Sequence, residues 1–256
     1  MKTTLKLTTF LVALASTFTF SSCLNDNESG SYPTYSSYVT IAGDNTFGYT
    51  FYSDFGATLR PTAASVQQVL PGLNSSVRRA YIAFDLASES ENGKDLEAGT
   101  IYDIILCPSY YANFAIPTYR TIPLTEASDS LITNNERIQE INKSIWAING
   151  YVNAQMTISY QQNQPFYINT YYDRENDIVP ETNTLYLNLY YNSKSKSHSG
   201  QGSSVFSFDL PEEVVNSFSS DSINLVLRAI TGYDDQTLTE VGSCTVAKKD
   251  FYVPTF

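Results

Sequence analysis

The sequence is poor in the residues on which most enzyme and metal chemistry depends. Its 256 residues include one histidine, His198, and only three cysteines. A catalytic triad needs a histidine base that is held rigidly and shielded from water, whereas His198 lies in a hydrophilic segment, residues 192–202. A zinc site needs several histidines or cysteines at ligand spacing. We therefore expect no catalytic residues, no metal site and no cofactor.

Basic residues are also scarce. The chain has 15 Lys and Arg residues against 26 Asp and Glu residues, a formal net charge of −11. Proteins that bind nucleic acid need a basic surface to displace the counterions of the phosphates. The charge therefore excludes nucleic acid as a partner. Long apolar runs are lacking too, because the run centred on residues 10–14 is too short and too rich in Ser and Thr for a stable membrane span.

The first 23 residues have the layout of a bacterial lipoprotein signal. Lys2 and Lys6 precede the short apolar run, and two serines lead to Cys23. This pattern predicts a signal peptide over residues 1–22 and a lipid on Cys23. An ordinary secretory signal with a coincidental cysteine is the alternative. Without residues 1–22, 13 basic residues would face 26 acidic ones, so the acyl chains and not electrostatic attraction would anchor the protein to the membrane.

A short polar and acidic stretch follows the predicted lipidation site. Residues 24–31 read LNDNESGS, a composition that stays solvated, and we predict that residues 23–34 form a tether. The stretch resembles the acidic tags that route some lipoproteins to the outer face of the outer membrane, and a plain flexible spacer is the alternative. We expect an outer-membrane lipoprotein that faces the periplasm or the cell surface.

Alternation of apolar and polar residues from Tyr35 onward predicts an all-β protein. Two prolines at positions 117 and 123, followed by the polar residues 126–135, suggest a domain boundary near residue 130. Residues 35–130 contain about five candidate strands, which suits a small closed barrel. Residues 131–256 contain roughly six or seven, which suits a β-sandwich, and spaced isoleucines predict a short helix over residues 131–145. We expect each block to fold by itself.

Cys107 and Cys244 lie 137 residues apart in apolar, strand-like runs. An oxidising compartment would permit a disulfide between them, and the long loop it closed would restrict the unfolded chain. Their apolar surroundings favour two buried free thiols. The sequence leaves both arrangements open.

Tyrosine and asparagine recur on the polar side of three strands in the second block. If these strands are neighbours, one face of a sheet presents large rings and adaptable amides, as many binding surfaces do. The alternative is that the tyrosines stabilise the sheet by cross-strand packing or lie under the first domain. The candidate residues are Tyr151, Asn153, Tyr167, Asn169, Tyr171, Tyr186, Asn188 and Tyr190.

Several strand motifs, taken in order, resemble the NigD-like lipoprotein family. The motifs are FYSDFGATLRP (51–61), RAYI (79–82), YVNA (151–154), INTYYD (168–173), LYLNLYYN (185–192) and VFSFDL (205–210). The resemblance covers most of the chain after Cys23 and implies an N-terminal OB-like barrel, a C-terminal β-sandwich and an outer-membrane tether. The family often has a histidine at the ends of the later strands, where this chain has Phe166 and Tyr191, so no histidine role is carried over.

Two functional hypotheses follow. The first is a non-enzymatic, membrane-anchored lipoprotein that binds a protein or peptide, with bacteriocin immunity as the specific role, since the family takes its name from a protein to which such immunity is ascribed. The alternative is a glycan-binding surface lipoprotein that uses the Tyr/Asn face. An OB-like fold alone does not decide between them, because OB folds host many functions.

The lipid-anchor prediction is tested by Cys23→Ser. A mature lipoprotein carries two or three acyl chains, each worth ~0.8 kcal/mol per buried CH₂, so the protein without them should leave the membrane fraction. We expect Cys23→Ser in the soluble fraction and Cys107→Ser, as a control, in the membrane fraction with the wild type. Retention of the Cys23→Ser protein on the membrane would show that the anchor is misassigned.

Overall fold

The computed structural model describes residues 33–44, 46–71, 73, 76–108, 113–126, 134–195, 197–233 and 236–252. The predicted signal peptide (1–22), Cys23 and the predicted tether up to residue 32 lie outside the described residues. Within the described ranges, no helix has the length and apolar character needed to cross a membrane.

The first half of the chain forms a small closed barrel. Its strands are β1 (Tyr35–Asp44), β2 (Gly48–Ser53), β3 (Thr58–Pro61), β4 (Arg79–Leu86), β5 (Ile101–Leu106) and β6 (Phe114–Ile116), and the helix α1 (Ala63–Val69) lies between β3 and β4. The strand order is β1-β2-β3-β5-β4-β6, and pairing of β1 with β4 closes the first five strands into a barrel. Apolar side chains of alternate positions fill it, among them Val39, Phe51, Ile82 and Ile104, all 0% exposed.

The described residues of the second half form nine strands and two short helices. The strands are β7 (Thr118–Pro123), β8 (Glu140–Ile148), β9 (Tyr151–Tyr160), β10 (Tyr167–Tyr172), β11 (Ile178–Val179), β12 (Thr184–Asn192), β13 (Gly200–Asp209), β14 (Ser222–Ala229) and β15 (Thr239–Ala247). The helices are α2 (Glu212–Asn216) and α3 (Lys248–Phe251), and single 3-10 turns occur at Glu89–Glu91, Leu124–Glu126 and Pro180–Thr182. The strand order is β15-β14-β12-β10-β7-β13-β9-β8, with β11 beside β12.

The strands on either side of β7 in this order form two strand sets, β15-β14-β12-β10 and β13-β9-β8, and the two sets pack on one apolar core. It combines Val152 and Ile158 of β9 with Leu187 of β12 and Leu225 of β14. Because alternate residues of both strand sets face this core, their opposite faces are polar. The predicted fold class, all-β with an N-terminal OB-like small barrel followed by a C-terminal β-sandwich, is confirmed.

Strand β7 joins the two strand sets of the sandwich. It pairs in parallel with β10 through Thr121 and Thr170 and in parallel with β13 through Tyr119 and Phe208. Pro117 precedes β7 and Pro123 is its last residue, so neither proline removes a hydrogen bond from the middle of the strand. Strands before Pro117 therefore pair within the barrel, and β7 after it pairs within the sandwich. The boundary predicted near residue 130 instead assigns β7 to the first block (35–130) and not to the second (131–256).

The short helix predicted within residues 131–145 is a wrong prediction over the described part of that range. Residues 134–139 are not helical, and Glu140 begins β8. Ile141 pairs with Met156 and Ile145 with Ala154, and a register irregularity lies between the two pairs. A bulge of this kind adds residues to one strand, so the two isoleucines are four apart as in a helix although both lie in a strand.

We predict that β7 decides whether the sandwich folds without the barrel. A fragment of residues 136–256 lacks β7 and leaves β10 and β13 without their shared neighbour, whereas residues 118–256 retain it. Thermal unfolding followed by circular dichroism should be cooperative for the longer fragment and absent or much weaker for the shorter one. Equal midpoints for the two fragments would show that β7 is dispensable and that the sandwich core is complete without it.

Candidate functional site: an aromatic strip beside the interdomain junction

The structure divides the predicted Tyr/Asn residues between two places. Strands β10 and β12 are antiparallel neighbours, with Asn169 opposite Tyr190 and Tyr171 opposite Asn188. Six of the residues lie on these two strands: Tyr167, Asn169, Tyr171, Tyr186, Asn188 and Tyr190. The other two, Tyr151 and Asn153, lie on β9, which pairs with β8 and β13 and not with β10.

Most of the β10–β12 face is buried by contacts within the protein. Tyr171, Asn188 and Tyr190 are 8%, 4% and 3% exposed. Burial raises the pKa of Tyr171 and Tyr190 above the ordinary value for tyrosine. Tyr167 remains 44% exposed, which leaves one open ring at the edge of this face.

Charged side chains cover the same face. Asp177 accepts a hydrogen bond from Nδ2 of Asn188 at 2.7 Å and pairs with Arg228 at 3.2 Å. The guanidinium of Arg228 lies 3.6 Å from the centre of the Tyr186 ring, and the Lys194 ammonium lies 3.7 Å from that of Tyr167. Each of these two cations covers one face of a tyrosine ring that a ligand could otherwise contact.

Asn153 instead belongs to a buried junction between barrel and sandwich. Arg79 of β4 is 0% exposed, and its guanidinium forms a bidentate ion pair with Asp54, at 2.6 and 2.7 Å. Nη2 of Arg79 also donates to Oδ1 of Asn153 at 2.9 Å, and Oγ of Ser207 donates to the same oxygen at 2.7 Å. Trp146 of β8 donates its indole N–H to Asp54 at 2.6 Å. Residues of the barrel and of the sandwich therefore share one hydrogen-bond network.

Four aromatic side chains form a row on the outer surface beside this junction. We call Phe114, Tyr81, Tyr38 and Trp146 the aromatic strip. Its successive ring centres are 5.8, 4.7 and 5.6 Å apart, and adjacent rings are tilted by 46°, 43° and 44°. Phe114 is 46% exposed and the other three are partly exposed. Burial, followed by the nearby Tyr81 and Asp54, raises the pKa of Tyr38. The four rings therefore form a continuous, partly exposed aromatic surface.

Sequence reasoning missed the aromatic strip. Its members come from β6, β4, β1 and β8, and their numbers span more than a hundred positions. The alternation of β1 and β4 does place Tyr38 and Tyr81 on the outward face of the barrel. The pattern does not indicate which strands pair, and it is this pairing that puts Tyr38 opposite Tyr81 and Tyr81 opposite Phe114.

The single histidine does not form a catalytic relay. Nε2 of His198 lies 3.0 Å from Oγ of Ser193 and 3.4 Å from Oε2 of Glu136, so one ring nitrogen faces both partners. A relay uses the two ring nitrogens separately, one for the nucleophile and one for the acid. Oγ of Ser193 also donates to Oε1 of Glu136 at 2.9 Å. The contacts among His198, Ser193 and Glu136 stabilise the loop that precedes β13. Within the described ranges, no cluster of three His, Cys, Asp or Glu residues is arranged to hold a metal ion.

Both cysteines of the folded part are free thiols. Cys107 follows β5 of the barrel and Cys244 lies on β15 of the sandwich. Burial, reinforced by a hydrogen bond from the Cys107 thiol to Asp85, raises the pKa of Cys107 to about 12. Burial alone raises the pKa of Cys244 to about 11. Both groups are therefore protonated and poorly nucleophilic at neutral pH.

The fold and the site together define a two-part β protein with a partly exposed aromatic strip beside a buried junction. Residues 120–241 match the family model of the NigD-like C-terminal beta sandwich domain. Residues 120–241 are therefore a NigD-like C-terminal β-sandwich domain, and the resemblance inferred from the sequence motifs is confirmed.

Solved structures share the fold of both halves. A protein described as toxin related, from Parabacteroides distasonis, is 15% identical with a TM-score of 0.57, and the match covers 84% of this chain and 94% of that one. A NigD-like immunity protein from Bacteroides caccae is 15% identical with a TM-score of 0.53, covering 82% and 93%. An uncharacterized protein from Parabacteroides merdae is 13% identical with a TM-score of 0.53, covering 83% and 98%. No curated protein matches the sequence.

We predict that Asp54→Asn destabilises the whole described fold. Removing the carboxylate leaves the buried Arg79 guanidinium without its ion partner, which typically costs about 3–5 kcal/mol of unfolding free energy. Urea unfolding followed by the fluorescence of Trp146 should show this loss. Glu240→Gln, which changes an exposed acid on β15, should leave the unfolding free energy unchanged within about 0.5 kcal/mol. A similarly small change for Asp54→Asn would mean that water or another acceptor compensates Arg79.

Proposed function

We propose that this protein is a non-enzymatic lipoprotein, anchored through Cys23, that binds a protein or peptide with the aromatic strip. The observation that carries this proposal is the row of four partly exposed rings beside the buried junction. Aromatic residues are enriched where proteins bind one another, because they bury a large area and lose little conformational entropy. The hydrogen bond from Trp146 to Asp54 and the packing of Tyr38 against Tyr81 hold the rings in place before a partner arrives.

The specific role we propose is protection of the producing cell from a secreted toxin. Two proteins of similar fold carry the descriptions NigD-like immunity protein and toxin related, which supports this role at the level of fold. A lipid anchor would keep such a protein at the envelope, where a toxin arrives first. Protection by binding needs no catalytic group, in agreement with protonated thiols and a histidine that serves a loop.

Glycan binding through the Tyr/Asn face is the second candidate. The exposed ring of Tyr167 and the partly exposed Asn169 and Tyr186 favour it. The support is weaker than for the aromatic strip, because Asp177, Arg228 and Lys194 already occupy much of that face. A glycan array on residues 31–256 separates the two: binding that is lost in Tyr167→Ala would favour a glycan, and a blank array would retire this candidate.

We predict that the aromatic strip is required for protection. A deletion strain should become sensitive to the supernatant of at least one neighbouring strain, and the wild-type gene should restore resistance. The double variant Tyr81→Ala/Phe114→Ala should fail to restore it, because it removes one central ring and one end ring of the strip. The double variant Phe47→Ala/Tyr233→Ala is the matched control, since its rings are 91% and 82% exposed outside the strip.

Equal membrane amounts of all variants must be shown by immunoblotting. Unchanged sensitivity of the deletion strain across the panel would contradict immunity. Full protection by the Tyr81→Ala/Phe114→Ala variant would contradict the assignment of the aromatic strip.

A further inference from the structure

The first half of β13 has a strand partner on one side only. β9 pairs with β13 over its whole length, Gly200–Asp209, whereas β7 pairs with Ser207–Asp209 alone. Within the described ranges, no strand pairs with Gly200–Ser204 on the side away from β9. This part of β13 is therefore the edge of the strand set β13-β9-β8. We call Gly200–Ser204 the open edge.

The hydrogen-bond register shows which main-chain groups point to the open side. In an antiparallel pair, alternate residues bond the partner strand, and the residues between them direct their N–H and C=O groups the other way. Leu210, which follows β13, donates its N–H to the carbonyl of Gly150, which precedes β9. In the same register every second residue back from Leu210 bonds β9. Gln201 and Ser203 therefore direct their N–H and C=O groups to the open side.

The main chain of the open edge is accessible. Gln201 and Ser203 are exposed, and Gly200 and Gly202 are partly exposed. Because glycine has no side chain, the exposed surface of these two residues belongs to the main chain. The ring of Tyr160 covers one face of both glycines, since a Cβ added at either would lie 3.2 Å from it. What remains open is the rest of the backbone.

The open edge lacks the features that usually protect edge strands. Natural proteins block such edges with charged side chains, prolines or β-bulges. The open edge reads GQGSS, which contains neither charge nor proline, and its register with β9 is continuous. Its small residues let a second main chain approach closely. These are the properties of an edge that accepts another strand.

The same side of β13 already pairs with a strand farther along. β7 lies in parallel beside Ser207–Asp209. Ser207 also stands in one cross-strand row with Asn153 and Trp146, and Trp146 is the end ring of the aromatic strip. Strand geometry places the main chain of Ser203 about 16 Å from that of Trp146. The open edge therefore continues an existing pairing and lies near the strip.

We propose that the open edge binds an extended segment of a partner protein, which adds a strand to β13-β9-β8. This inference rests on the proposed protein-binding function and adds the conformation of the bound segment. Main-chain bonds with Gln201 and Ser203 supply the affinity, so the segment must offer free amides in an extended conformation. A second copy of the chain is disfavoured as the occupant, because each copy has a net charge of −11.

Amide hydrogen exchange measures this pairing directly. The probes are synthetic peptides of eight residues in which Thr alternates with Val, Ile or Tyr, all of which favour strands. A matched set has every amide N-methylated and so has no main-chain donors. With the purified chain from residue 24 onward, we expect the free peptides to slow exchange at the amides of Gln201 and Ser203. The methylated peptides should not bind.

Two substitutions at one position separate main chain from side chain. Ser203→Pro removes an N–H that points to the open side, so the ladder with β9 keeps its bonds. It should weaken peptide binding about tenfold, whereas Ser203→Ala keeps the main chain and should bind like the wild type. Circular dichroism must show that both variants are folded. If Ser203→Pro does not fold, the exchange data and the methylated peptides decide.

The outcomes separate this inference from the proposed function. Absence of peptide binding, equal binding of methylated peptides, unchanged exchange at Gln201 and Ser203, or wild-type affinity in a folded Ser203→Pro protein would each overturn the open edge as a binding site. The protection assay with Tyr81→Ala/Phe114→Ala would still decide the proposed function. A dimer in sedimentation that Ser203→Pro dissociates would assign the edge to a second copy and overturn the partner segment.

Discussion

The buried ion pair between Arg79 and Asp54 determines how barrel and sandwich are held together. A guanidinium taken out of water is destabilising by several kcal/mol unless its donors find acceptors. Here Thr40 and Asp54 supply acceptors from the barrel, and Asn153 supplies one from the sandwich. Neither the barrel nor the sandwich alone supplies all the acceptors that the Arg79 guanidinium has here, so the network fixes the contact between the two parts. Removing one partner of this ion pair costs more unfolding free energy than the intact pair contributes.

The aromatic strip depends on that junction. Trp146 comes from the sandwich and the other three rings from the barrel, and the indole N–H is held by the same Asp54 carboxylate that pairs with Arg79. A rotation of one part against the other would separate Trp146 from Tyr38 and open the strip. If the strip binds a partner as proposed, this arrangement across barrel and sandwich holds its rings in place beforehand, which would reduce the entropy lost on docking.

Sequence reasoning succeeded where a strand is determined by its local pattern and failed where it depends on contacts between residues far apart in the chain. The alternation over Arg79–Leu86 and Tyr151–Tyr160 predicted β4 and β9 to the residue, because each strand has one buried and one polar face. It failed for β7, where prolines at the strand ends resemble a break, and for β8, where a bulge puts isoleucines at helical spacing. Pairing between distant strands has no local signature, so neither the junction nor the aromatic strip could be predicted.

The Tyr/Asn pattern shows the same limit for function. Alternation places Tyr171 and Asn188 on the polar sides of two strands, and the structure pairs these strands. Alternation carries no information about the turn that brings Asp177 over them or about Arg228 on β14. A polar sheet face can be an open surface or the floor of a charged network, and only the tertiary contacts distinguish the two. In this protein the rings with the most regular spacing in sequence are largely covered, whereas those that share no motif form the exposed surface. Long-range pairing, and not residue type, therefore decides which aromatic residues remain available to a partner.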